Sequence, residues 1–339
     1  MFALPILLAA LAGDPAPPKA DPVAKPGVDK SIKRAYKPDF FSTLVNPQCS
    51  HCVDEAKLKG DELRKDDRVL AWIRGKYEGG AIPLRFFLVP YRVISDSYGV
   101  FVYDADAGFT RGWPASYDYR FHGWRNGVMV MRHKDGTIFD CLTGLAIDGP
   151  RKGERLVPLP TVETDWGLWL KLQPGTVAYR MFDKYQPSPL PTEVTIESKQ
   201  TRPAPDTRLK DEERVFGLSI DGKSLAWPLR QFGAGPEIKS VKIGEQKALI
   251  LWNGATRTAA AFAPETEGDH PEKVTIKLDP SNQEAPWIDE ETGSRWTIAG
   301  RAISGSRKGS TLRWLPGVMV KWYAWAAEYP DTGIAGDKI

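Results

Sequence analysis

The amino-acid sequence predicts a mainly β (α+β) fold: two tandem, homologous β-rich domains, barrel- or sandwich-like, each with one packed helix. Three observations lead there. Short apolar runs are bounded by turn dipeptides such as Asp221-Gly222 and Asn253-Gly254. One long segment is written twice. In each copy the clearest helical spacing is a tryptophan pair, Trp166/Trp169 and Trp322/Trp325, set i, i+3 on one face.

The chain opens with an apolar run, Leu4 to Leu11, and a small-x-small site, Ala10-Leu11-Ala12, before Gly13. Residues 1–12 therefore read as a signal peptide, and the protein as exported to the periplasm or cell envelope. Residues 13–35, rich in Pro, Ala and Lys, read as a disordered tether. No stretch is long and apolar enough for a transmembrane span. Lys and Arg number 46 against 43 Asp and Glu, for a formal net charge of +3. The basic residues are scattered, so nucleic acid is not an expected partner. Three cysteines are too few for a disulfide-stapled scaffold, and the core must hold itself together.

Copy one is expected over 36–196, a polar linker over 197–212 and copy two over 213–339. A shift of 156 residues lays Gly144–Ala178 on Gly300–Ile334 without a gap. Arg151-Lys152-Gly153 then meets Arg307-Lys308-Gly309, and the tryptophan pairs and Pro174/Pro330 coincide. Upstream, AIPLRFF at 81–87 matches AWPLRQF at 226–232. In copy one YGVFVYDADAGF turns at Asp104 to Gly108. In copy two RVFGLSIDGKSLAWPL is a hairpin around Asp221-Gly222, and KALILW and RTAAAF flank Asn253-Gly254 as another. The windows 136–180 and 293–336 should each run strand, turn, strand, helix, with Pro174 and Pro330 stopping the helices. The phrase GRAISGSRKGSTL at 300–312 puts Ala302-Ile303 and Leu312 in strands around a turn bracketed by Gly305 and Gly309. Lys308 precedes Gly309, which is the wrong order for a P-loop. A turn fits better than an anion cradle of backbone N–H groups.

ETGSRW at 291–296, GRAISG at 300–305, the tryptophan pair and Tyr329-Pro330-Asp331-Thr332 together resemble the domain of unknown function 3179 family, mostly bacterial and often exported proteins. The resemblance covers most of copy two, and copy one more loosely through GTIF and TGLAIDG. It implies no established activity. Many members carry Cys-x-x-Cys at the end of a strand after the first hairpins. Here the corresponding stretches, ISDSYGVFVYDADAG and LILWNGATRTAAAF, hold no cysteine.

Three groups carry candidate chemistry. NPQCSHC at 46–52 spaces Cys49 and Cys52 for a pinning disulfide, a redox pair or half a metal site, with His51, His122 or Cys141 closing the metal shell. Cys141 itself is expected to be buried near Phe139 and to take no part. FHGWRNG at 121–127 gathers His122, Trp124 and Arg125. It is either a strand-connecting turn or a ligand pocket, in which Arg125 pairs an anion and Trp124 offers a stacking face. YDADAG at 103–108 begins like a calcium loop, but Ala115 stands where the bidentate glutamate belongs, so turn chemistry explains it. The tryptophan pairs fit core anchoring better than a row of sugar-stacking faces. No triad, paired catalytic carboxylates or dinucleotide fingerprint is legible.

The expected function is a ligand- or partner-binding envelope module whose partner is an unidentified small molecule, glycan or envelope protein. The alternatives are a thiol-disulfide or metal-handling protein using Cys49 and Cys52, and a glycan-binding module. No cofactor is assigned.

Overall fold

Residues able to take a left-handed turn close the strands into antiparallel hairpins. The structure, a computed structural model, describes residues 31–34, 42–45, 52–54, 63–74, 78–87, 91–95, 97–179 and 196–336. Arg214–Ile220 and Lys223–Pro228 pair across Asp221 and Gly222, whose φ angles of 47° and 76° give the hairpin the twist its strands need. The next hairpin closes differently from expectation. The strand Gln246–Asn253 runs through Asn253, and residues 254–257 make the turn into Thr258–Thr266. Gly254 lies against the backbone of Ala234, where a side chain has no room. Its role is close backbone approach, not a two-residue turn.

Two sheets share one strand order. Thr161–Asp165, Arg68–Arg74, Glu78–Pro83 and Val177–Tyr179 lie side by side, with Cys52–Asp54 added at one edge. Val318–Lys321, Arg214–Ile220, Lys223–Pro228 and Gly333–Ile334 repeat that order. In both, the first two pairings are antiparallel and the third is parallel, and the added Cys52–Asp54 pairs antiparallel. A helix leaves the first-named strand of each: α1, Trp166–Leu172, and α3, Trp322–Glu328. Each ends in a residue whose N–H bonds back to the second tryptophan, Gln173 to Trp169 and Tyr329 to Trp325. Proline then forbids another turn.

The repeated phrase is a hydrogen-bonded turn in both places. Ala146 N–H donates to the Glu154 carbonyl and Gly153 N–H to Ala146, as Ala302 does to Ser310 and Gly309 to Ala302. Other amides of the two turns are engaged as well, those of Arg151 and Arg307 with the hydroxyls of Thr137 and Ser294, which leaves them unsuited to an anion cradle. Gly144 and Gly300 have φ of 71° and 72°, and a side chain on them would strike the rings of Trp113 and Phe262 respectively. Gly309 has φ of 94° but open space around it. Gly300→Ala should thus lose about 2–4 kcal/mol, left-handed strain plus overpacking, and Gly309→Ala only about 1–2. Paired urea melts check the order, and equal losses would contradict the packing account.

The helices tie the two parts of the chain together. Trp166 and Trp169 pack with Val69, Ala71 and Ala81. From the same helix, Leu168 and Leu172 lean on the cluster of Trp287 and Trp296. In the other direction, Trp322, Tyr323 and Trp325 of α3 enter the core built on Trp113, Trp124 and Phe139. Trp166, Trp169, Trp322 and Trp325 are at most 3% exposed, so they anchor cores and offer no sugar platform. Residues expected to be a linker carry α2, Ile196–Thr201. Ser198 Oγ donates to the Gly127 carbonyl, Gly127 N–H donates to Thr201 Oγ1, and Arg202 stacks 3.6 Å over the Tyr323 ring. That seam is docked, because its polar residues find partners on both sides. Among the described residues no helix is long and apolar enough to cross a membrane.

Candidate ligand-binding cleft

Where α1 and its sheet meet the second half of the chain, packing leaves a half-open cleft of about 520 Å³, within the usual range for small-molecule sites. Tyr98 and Trp314 present ring surface to it, and the buried rings of Trp72, Trp169 and Phe262 back its walls. Leu159, Pro160 and Thr161 border it from one side, and Ala260, Ile298 and Leu312 from the other. Trp72 is held by stacking on Phe101, with ring centroids 4.1 Å apart, over Gly80, which has no side chain to displace it. Trp314 is half-buried, and Tyr98 is 42% exposed. The charged residues of the lining are Glu267 and Arg301, both beside Thr311. Thr311 Oγ1 donates to Glu267 Oε2, and Glu267 N–H donates to the Thr311 carbonyl, so this acid is fixed relative to the cleft. The arrangement offers apolar and aromatic surface with a few polar groups, and no nucleophile–base pair.

The residues singled out in the sequence lie elsewhere. His122, Trp124 and Arg125 share the strand Arg120–Arg125. Trp124 is 1% exposed and meets Phe121 edge-on within the core, so its faces are not open to a ligand. Arg125 lies 3.7 Å from Glu328 of α3, and Asn126 Nδ2 donates to the same carboxylate. Gly127 accepts from Tyr323 Oη. FHGWRNG is thus the end of a strand and the Asn126-Gly127 turn on which α3 docks. Cys49 and His51 lie outside the described residues, and Cys52 begins the strand Cys52–Asp54. Cys141, one residue past Ile138–Asp140, is fully buried as a free thiol, and burial pushes its pKa up, which makes it a poor nucleophile. Asp104 serves the turn it opens: Oδ1 accepts from Asp106 and Ala107 N–H, and Oδ2 from Met129 N–H. Among the described residues no group of three or more His, Cys, Asp or Glu is placed to hold a metal.

Sequence reasoning did not find the cleft, because its rings come from five separated stretches that only the fold brings together.

A second contact joins the two parts of the chain. Arg111, 5% exposed, donates through Nη1 to the carbonyls of Pro316 (3.0 Å) and Gly317 (3.4 Å), and through Nε to that of Leu142 (3.3 Å). Burial lowers its pKa to about 10, against the pull of Tyr329 and Asp140.

No curated protein and no solved structure matches the chain. The family model for Protein of unknown function (DUF3179) matches residues 124–332, running unbroken from the strand that carries Trp124, through α1 and α2, to Thr332 beyond α3. That is more than half of the sequence, and the chain belongs to this family.

Proposed function

We propose that the protein is an exported binding module of the cell envelope, and that the aromatic cleft between its two halves is its ligand site. One observation carries this reading: the cleft is lined mostly by aromatic and apolar side chains, with Glu267 and Arg301 as the charged residues among them, as a site built for holding and not for transforming a ligand would be. The proposal includes a tandem duplication. It is supported by the shared sheet order and by turn hydrogen bonds recurring 156 residues apart. A duplicated unit that packs on its own copy makes two quasi-equivalent contacts, and sequence divergence can open one of them as a site.

Equilibrium binding of an aromatic fragment set tests the cleft. Trp314→Ala should weaken the best fragment about tenfold or more, with little loss of stability, since Trp314 is only half-buried. Binding that survives Trp314→Ala and Tyr98→Ala unchanged would place the site elsewhere. The glycan reading predicts binding of oligosaccharides in the same assay. The thiol reading predicts a redox or metal signal that disappears when Cys49 and Cys52 become Ser. Export predicts a mature N-terminus near Gly13 by mass spectrometry, and intact Met1 in the mature protein would contradict it.

A further inference from the structure

The two inter-half contacts can be compared position by position. Trp113 lies under Gly144 and Phe262 under Gly300, so these two rings occupy corresponding places. Two residues earlier, on the same strand face, stand Arg111 and Ala260. The strand pairing agrees: Arg111 lies opposite Val102 where Trp113 lies opposite Val100, and Ala260 opposite Leu251 where Phe262 lies opposite Leu249. The groups that accept from Arg111 are the carbonyls of Leu142, Pro316 and Gly317. Their counterparts at the 156-residue shift are Ile298, Pro160 and Thr161. All three line the cleft, and so does Ala260. The cleft is therefore the Arg111 contact rebuilt with a methyl group where the guanidinium stem begins.

From this we infer that the cleft receives a cationic group from outside, a guanidinium or ammonium such as an arginine or lysine side chain carries, in the place that Arg111 fills in the other contact. This rests on the cleft being the ligand site. Two further features suit a cation. Trp314 and Tyr98 give electron-rich ring faces, on which guanidinium stacks well. Glu267, held by Thr311, supplies a fixed negative charge. Arg301 lines the same cleft and balances Glu267. The attraction for the cation therefore comes from the ring faces and the nearby Glu267 carboxylate and not from net charge, which favours the planar, weakly hydrated guanidinium over a compact ammonium.

The test compares N-benzylguanidinium with its neutral near-isostere N-benzylurea and with phenylacetate, by calorimetry on the full chain. The guanidinium should bind about tenfold or more tighter than the urea, a margin typical of a desolvated cation on aromatic faces. Glu267→Gln, at an exposed position, should weaken the guanidinium and leave the urea unchanged. Ala260→Arg should abolish guanidinium binding by filling the place from within. If that variant fails to fold, Glu267→Gln and the ligand comparison still decide. Equal binding of guanidinium and urea, or a preference for phenylacetate, would overturn the cationic ligand while leaving the cleft as a site. No binding by any of the three also overturns it, and the fragment experiment with Trp314→Ala then decides separately whether the cleft binds anything.

Discussion

Trp325→Ala is expected to cost about 3–5 kcal/mol, measured as the shift in a urea or thermal unfolding midpoint. The ring is 1% exposed and packs flat over Gly217, where a side chain would overlap it. It also lies 4.1 Å from the Tyr329 ring, and its Nε1 donates to Thr332 Oγ1 at 3.0 Å. Truncation removes the apolar contact, leaves a ring-sized void that the surrounding strands cannot collapse to fill, and takes from the Thr332 hydroxyl one of its two partners, the other being the Gly333 carbonyl. Trp325 sits in the core shared by both halves, so its loss should weaken the whole molecule and not one hairpin. A loss under about 1 kcal/mol would mean that the helix is not the anchor described here.

Stability should fall as the pH rises from the ordinary carboxylate range toward neutrality. Three buried acids face α3 or its docking turn. Glu328 is pushed up to about 7, first by burial and then by the nearby Asp140, against hydrogen bonding from Asn126 and the charges of Arg125 and Arg155. Asp140 is raised by burial, against hydrogen bonds from Thr143 and Leu142. Asp104 is raised by burial and by Asp106. In each case the folded state holds its proton more tightly than the unfolded chain. The stabilisation is fully present below about pH 4, where both states are protonated. It is lost as the pH climbs through the window between there and about 7. Acids held low by a partner, such as Asp206 beside Arg208, lose their contribution only below that window. Glu328→Gln keeps the shape and an acceptor for Asn126 but removes one titration. It should therefore flatten the fall between roughly pH 5 and pH 8 by on the order of 2 kcal/mol. Urea midpoints across that range check this, and a steeper fall in the variant would reverse the sign assigned to Glu328.

Much of the fold was readable because its signals are local. The tryptophan spacing with a following proline marks both helices, and the glycine pairs mark the repeated turn, since neither depends on the rest of the chain. Asn253-Gly254 misled because the glycine answers to a tertiary contact with Ala234, which no local pattern records. The linker misled for a similar reason: a polar composition does not reveal that Ser198, Thr201 and Arg202 have partners waiting on Gly127 and Tyr323. The FHGWRNG cluster was legible as polar and aromatic residues, but their partner is Glu328, some two hundred residues later in the chain. The cleft was hidden most completely. It takes residues from both parts of the chain, which no local pattern brings together.

An NMR map of a bound aromatic fragment on the full-length protein decides where the ligand site lies. A binding module with its site between the halves predicts shifts concentrated at Tyr98, Thr311 and Trp314, with quiet signals at Arg125 and Asn126. Shifts centred on the 121–127 turn, or spread without a focus while the fragment saturates, would contradict it.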